Sequence, residues 1–433
     1  VAAIPNTALR LLRERTPSLA SPGECLSRQE LADLVNAHVL QSTQRPGALD
    51  ANYIGKLERG VITWPRAHYR QGLRAVLAAD TDRELGLTRP TRIGRSVAAV
   101  DRPAFLATGL VTAPTSASDG PLAAMTRLPV AVSREHVDAL RATAVMFTDA
   151  DHSHGGGDVT GAAGVYLGHA AELLRLPCPA SLRPELFSAV GWLGHIVGWA
   201  AFDATRHNEA GEAFAFALAC AEQGGDWHLR AKVLSSMARE AIWRGDADTG
   251  LTWIELALVR ADRLTATERA MLLTARARAL ARLGRVDHTM RTVRAADEHF
   301  RHTNPGVDPP WMSYYDTAQH LGDTGHALFD LAVHGHYVKE ATRRLTAAVA
   351  GHQPLYVRSR AMSGMKLATL TLRAGDPVEG AAIGNTALSD LDHLRSARTV
   401  QVVIGLDRAA VPHTRLPEVA RLRYDLAEVI TPA

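Results

Sequence analysis

One spacing recurs along this 433-residue chain and constrains its fold more than any other feature. Gly198, Ala210, Phe214 and Ala217 are separated by 12, 4 and 3 positions. Ala238, Gly250, Ile254 and Ala257 restate those spacings 40 residues later, and Ala277, Thr289, Val293 and Ala296 restate them after another 39. Ala368, Gly380, Gly384 and Ala387 do so again near the C-terminus, and Gly335, Ala341, Leu345 and Ala348 form an imperfect copy between them. Steps of 4 and 3 place residues on one helical face. A glycine then marks a turn at Gly245, Gly284 and Gly375, seven positions after the leading small residue. Small residues on both sides of such a turn let two antiparallel helices pack closely, and larger ones fill the gap to the next pair. The expected fold is all-α, an α-solenoid of stacked helix pairs. An irregular helical bundle would show no fixed period.

The pattern resembles the tetratricopeptide repeat, whose unit is ~34 residues. Here the units run nearer 40, which implies longer helices or loops. Composition is that of a globular chain, 46% hydrophobic and 21% charged with mean hydropathy −0.07. Cys25, Cys178 and Cys220 are too few and too scattered for a disulfide framework. No apolar run nears the ~18 residues of a membrane span, and VAAIPNTALRLLRERT lacks the apolar core of a secretion signal. A cytoplasmic protein with no membrane partner is expected.

Charge is unevenly spread. Residues 1–90 hold 12 Lys/Arg against 9 Asp/Glu, whereas residues 91–433 hold 36 of each. The excess lies wholly in the N-terminal part, which points to an anionic partner there. Only Lys56, Lys232, Lys339 and Lys366 are lysines.

The first 88 residues read as short helices. Asn6 caps a helix to about Arg15, with Ala8, Leu9 and Leu12 as its apolar stripe. Ser27 and Glu30 have capping-box spacing, opening a helix that carries Leu31, Leu34, Val35 and Val39. Asp50 caps a helix from Ala51 to about Arg59 that Gly60 closes, and Trp64-Pro65 starts a fourth.

SRQELA (27–32) followed by DANYIGKLERG (50–60) resembles the helix-turn-helix of XRE/Cro-type repressors. Gln29, Leu31 and Ala32 match its first helix, and Ile54, Leu57, Glu58 and Gly60 match its second. The turn is about a dozen residues longer than in phage repressors. The 1–88 segment resembles the DNA-binding domain of a large actinobacterial regulator family that has this extended turn. The resemblance implies that Ala51, Asn52, Tyr53 and Lys56 face bases, Asn52 suiting adenine and Lys56 guanine. It implies phosphate contacts for Arg28 and Gln29, with Arg59 and Arg66 as further candidates. A small helical bundle that binds protein is the alternative, and there Asn52 and Lys56 are solvated surface.

Prolines and TAPTSASDGP mark 89–130 as a connecting segment, leaving 131–433 for the repeats. The stretches 133–167 and 198–226 extend the resemblance to the C-terminal region of the same regulators. A helix is expected from Ser133 to about Thr148, stopping at a polar turn with Asp149, Asp151, His152, His154 and Asp158 around Gly155–Gly157. That cluster has no metal-motif spacing, so no metal or cofactor is expected. Trp311, Tyr314, Tyr315, Asp316 and His320 are candidates to line a ligand groove, or else inter-repeat core. Trp192, Trp199, Trp243 and Trp253 read as core. No catalytic constellation is visible, and no enzyme is expected.

The expected function is transcriptional regulation. The head binds a double-stranded operator. The repeats form a homodimer and offer a broad concave surface to a peptide, small-molecule or protein effector. The rival is a helical-repeat scaffold that acts through protein contacts without operator binding.

Overall fold

The computed structural model describes residues 6–18, 24–43, 47, 49–60, 62–87, 128–391 and 396–430. It divides into two compact units, Val1–Ala98 and Ala99–Ala433. The division falls inside the Pro-rich segment, most of which lies outside the described residues. Among the described residues the chain is helical, with no strand.

The first unit contains α1 (Thr7–Arg15), α2 (Arg28–Thr43), α3 (Ala51–Glu58) and α4 (Ala67–Leu77). Leu9, Leu26, Leu31, Val35, Ile54 and Leu73 are fully buried in its core. Asn6 caps α1 through the N–H of Leu9. Ser27 and Glu30 form the reciprocal pair that opens α2: the Glu30 N–H donates to Ser27 Oγ, and the Ser27 N–H donates to Glu30 Oε2. Asp50 caps α3 through the N–H of Tyr53, and Gly60 closes it at φ +70°. The fourth helix starts at Ala67 rather than at Trp64-Pro65. Trp64 instead lies under the Arg70 guanidinium, 3.9 Å from its ring centroid.

The long turn between α2 and α3 is held by side chains. Asn36 on α2 donates to the carbonyl of Leu49 and accepts from its N–H, at 2.8 and 2.9 Å. Residues 44–46 and 48 of that turn lie outside the described residues.

The second unit opens with α5 (Arg134–His154) and α6 (Gly156–Leu173). The first repeat is α7 (Arg183–Asp203) with α8 (His207–Gly224), followed by α9 (Trp227–Trp243) with α10 (Ala247–Leu258). Then come α11 (Ala266–Arg282) with α12 (Val286–Phe300), and α13 (Thr317–Ala332) with α14 (Val338–Gly351). The last are α15 (Val357–Ala374) with α16 (Pro377–Ser389), and α17 (Ala397–Ala410) with α18 (Pro417–Ile430). The expected helix pairs and their boundaries match the repeat spacing. Ala210, Ala238, Val293, Leu345 and Ala368 are each fully buried at a pair interface. At Gly198 the partner helix comes so close that an added Cβ would meet the Phe214 ring at 2.5 Å.

Two further expectations need correction. The helix expected to stop near Thr148 runs on to His154, because only Gly155 at φ +89° breaks it. Asp149, Asp151 and His152 are therefore helical residues and not a polar turn. The regular period is also interrupted between α12 and α13. There, two single 3₁₀ turns, Pro305–Val307 and Pro310–Met312, lengthen the connection.

Candidate functional site

In the first unit, α3 separates its residues sharply. Ile54, Leu57 and Glu58 are buried, while Asn52, Lys56 and Arg59 are exposed at i, i+4 and i+7 on the opposite face. Arg66 is exposed just beyond. Arg10, Arg13, Arg70 and Arg74 are all engaged in ion pairs within the unit. Lys56, Arg59 and Arg66 have no such partner among the described residues.

Four of the expected contact residues are engaged within the unit. Tyr53 is half-buried and packs against Tyr69, with ring centroids 6.1 Å apart. Burial raises its phenol pKa. Gln29 binds Asp33 through its amide nitrogen and accepts the N–H of Ala51 at 3.3 Å, so it fixes where α3 begins. Ala51 is half-buried beneath it. Arg28 remains exposed but pairs with Glu58 at 2.6 Å. Glu58 is nearly fully buried and also binds Arg13 at 2.6 Å. The Glu58 position of the motif is thus a structural clasp joining α1, α2 and α3.

In the second unit a partly enclosed cavity of about 130 Å³ lies among the first helices of the pairs. Every one of α5, α7, α9, α11, α13, α15 and α17 contributes to its wall. Ion pairs between distant repeats close the ring. Arg358 on α15 binds Asp151 on α5 at 2.7 Å and Asp203 on α7 at 3.0 Å. Arg398 on α17 binds Asp203 at 2.7 Å, and Ser396 and the Gly156 N–H complete that carboxylate's shell. Burial alone would raise the pKa of Asp203, but the two guanidiniums outweigh it and hold the carboxyl well below its usual range. The broad open concave surface expected from the repeats is instead drawn into a small chamber.

One wall of the chamber is aromatic. Trp192 and Trp311 meet edge to face at 5.4 Å, and Trp199, Tyr314 and Tyr356 stand beside them. Trp192 and Trp253 are buried, as expected of core residues. Trp199 and Trp243 are only half-buried, and both rings lie within 6 Å of the Arg398 guanidinium. Of the five groove candidates, Trp311 and Tyr314 line the cavity, carried there by the insertion before α13. The other three are otherwise engaged. Tyr315 is buried with its hydroxyl against His320. His320 binds Asp297 at 2.8 Å and stacks on Phe300. Asp316 caps α13 through the N–H of Gln319.

The other wall is cationic. Arg239 is held by Asp323 at 2.6 Å. Lys232, two turns before it on α9, lies over the Tyr314 ring with its Nζ 4.0 Å from the centroid. Burial, with Arg239 adding to it, pushes the Lys232 ammonium down to about 7, against the opposing pull of Asp323 and Glu268. Burial likewise lowers Arg278 to about 10 and His152 to about 4. Sequence reasoning missed this cationic wall. The scarcity of lysine was a signal, because two of the four lysines, Lys232 and Lys366, sit within this unit's interior.

Among the described residues no cluster of three or more His, Cys, Asp or Glu side chains is arranged to hold a metal ion. No described helix is long and apolar enough to cross a membrane. No protein-family model, no curated protein and no solved structure matches the chain.

Proposed function

We propose that this chain is a sequence-specific DNA-binding transcriptional regulator whose helical-repeat unit binds a small-molecule effector. The observation that carries the proposal is the exposed stripe of Asn52, Lys56 and Arg59 along α3, which has no ion-pair partner among the described residues. A short helix clamped from behind by a buried core, and bare of ion-pair partners on its outer face, suits insertion into a major groove. The likeness of residues 27–60 to XRE/Cro-type repressors makes α3 the recognition helix. Asn52 has the amide to pair with adenine, and Lys56 has the reach for guanine. Arg59 and Arg66 serve phosphate. Gln29, Tyr53, Ala51 and Arg28 serve the placement of α3.

The effector half of the proposal is supported by the cavity. A chamber of about 130 Å³ ringed by seven helices suits a small molecule, and closure of the ring by Arg358 argues against an extended peptide. An effector alters DNA binding only if it favours one arrangement of the repeats over another. One helix-turn-helix covers one half-site, so the partner is a second copy of the chain, held through residues beyond about 130, on a pseudo-palindromic operator. The setting is the cytoplasm.

The test is selection of genomic fragments by the full-length chain, followed by gel shifts at several salt concentrations. Enrichment of a palindromic site with a steep salt slope supports the proposal. Recovery of no preferred sequence overturns it in favour of a protein-binding scaffold. Light scattering on the full chain tests the dimer.

A further inference from the structure

Each carboxylate on the cavity wall already has a cation. Asp151 is bound by Arg358 and Asp323 by Arg239, and Asp203 behind the wall takes Arg358 and Arg398 together. These groups neutralise one another. Lys232 and Arg278 remain, and neither has a carboxylate within ion-pair distance among the described residues. Both side chains contribute to the cavity wall. Two unpaired cations in an enclosed space are costly to keep unless something anionic joins them.

The cavity lining also leaves polar atoms idle. Arg278 Nε, Trp311 Nε1 and Ser235 Oγ are buried without a hydrogen-bond partner. His195 uses Nε2 on Ser236 Oγ at 2.8 Å and leaves Nδ1 without one. Native interiors rarely leave so many polar atoms unpaired in one place. The rings of Trp192, Trp199, Trp311 and Tyr314 give the same cavity an aromatic surface. The volume of about 130 Å³ is close to the ~150 Å³ of a cavity that holds one benzene-sized ring.

We propose that the cavity binds a small aromatic anion of a single ring's size, its carboxylate against the cationic side of the lining that carries Lys232 and Arg278 and its ring against Trp192, Trp199 and Tyr314. The ring takes the apolar wall, and the charge meets the two cations that lack a counter-ion. A neutral ring leaves those cations unmatched. A bare anion leaves the aromatic wall uncovered. The proposal deepens the effector half of the proposed function, but binding itself is independent of any operator.

The experiment titrates the full-length protein, without DNA, with benzoate, with benzamide as its neutral isostere, and with inorganic phosphate as an anion lacking a ring. Quenching of tryptophan fluorescence is the readout, since three tryptophans line the chamber. Benzoate should saturate, and benzamide and phosphate should each bind at least about tenfold more weakly, which is ~1.4 kcal/mol. K232Q and R278Q should each weaken benzoate by a similar factor, with melting curves confirming that the variants fold. Equal binding of benzamide, equal binding of phosphate, or no saturable response to benzoate overturns the proposal. The wild-type comparison of the three probes decides the matter even if a variant fails to fold. A protein that binds benzoate yet selects no DNA sequence would keep this inference and overturn the regulatory one.

Discussion

Arg358 Nη2 lies 2.7 Å from Asp151 Oδ2, across 207 residues of sequence. This contact brings the sixth helix pair of the second unit against the first, and Asp203 at 3.0 Å from the same guanidinium makes it a three-helix junction. All three side chains are buried. Removing the cation while both carboxylates stay buried leaves Asp151 with nothing to balance it and Asp203 with Arg398 alone.

R358M should therefore cost about 3–5 kcal/mol of stability. Urea unfolding followed by circular dichroism checks the magnitude. Hydrogen exchange should show the loss first in α5, α7 and α15. A variant as stable as the wild type would show that the ring closes without this junction.

T205G should stabilise the second unit by about 1 kcal/mol. Thr205 occupies, between α7 and α8, the turn position that Gly245 and Gly284 fill in the next two pairs. Like them it is left-handed, at φ +60° against +90° and +69°. A β-branched residue is strained there, and glycine is not. The urea midpoint should rise with no change in slope.

K56A and N52A should each weaken binding to the selected operator by about 1–3 kcal/mol and relax its sequence preference. R59A and R66A should lower affinity for every sequence and flatten the salt slope by about one unit each. R28A is expected to behave differently. Because Arg28 is paired with Glu58, its loss should lower the head's melting temperature and leave the salt slope nearly unchanged. Gel shifts at several salt concentrations separate the three patterns.

K366M should stabilise the protein by about 1–3 kcal/mol at neutral pH, the usual cost of an unsatisfied buried polar group. Lys366 Nζ has no hydrogen-bond partner. Burial lowers it to about 7 from 10.5, with Arg278 and Arg282 adding to the shift and Asp330 and Asp323 opposing it. Its folded-state pKa lies below its unfolded value, so the unfolded chain holds the proton more tightly between those limits. The wild type thus gains stability from this group as pH rises through that window. The advantage of K366M should be full below pH 7 and shrink steadily toward pH 10. Melts of both proteins across that range would show the convergence, and a constant difference would sink the idea.

Much of the fold was legible because it rests on local rules. Asn6, Ser27 and Asp50 cap the helices that their residue types announce, and the 12-4-3 spacing marks each antiparallel pair. The extended turn was visible as an insertion, but the staple from Asn36 to Leu49 was not, since nothing in the spacing singles out that amide. Gln29 and Arg28 looked like surface groups waiting for phosphate. Their actual partners, Ala51 and Glu58, are 22 and 30 residues away.

Local sequence rules are enough to make the chain all-α, to repeat its helices in pairs, and to turn Asn52 and Lys56 outward on α3. Each of these follows from periodicity, capping and the size of residues a few positions apart. Tertiary structure alone decided that the repeats curve until Arg358 meets Asp151, and that a ring-sized chamber results. It also decided which cations are neutralised and which, Lys232 and Arg278, line the chamber without a carboxylate partner among the described residues. Those outcomes depend on small rotations between successive helix pairs accumulating over some 200 residues, and on charge pairings that no local pattern encodes.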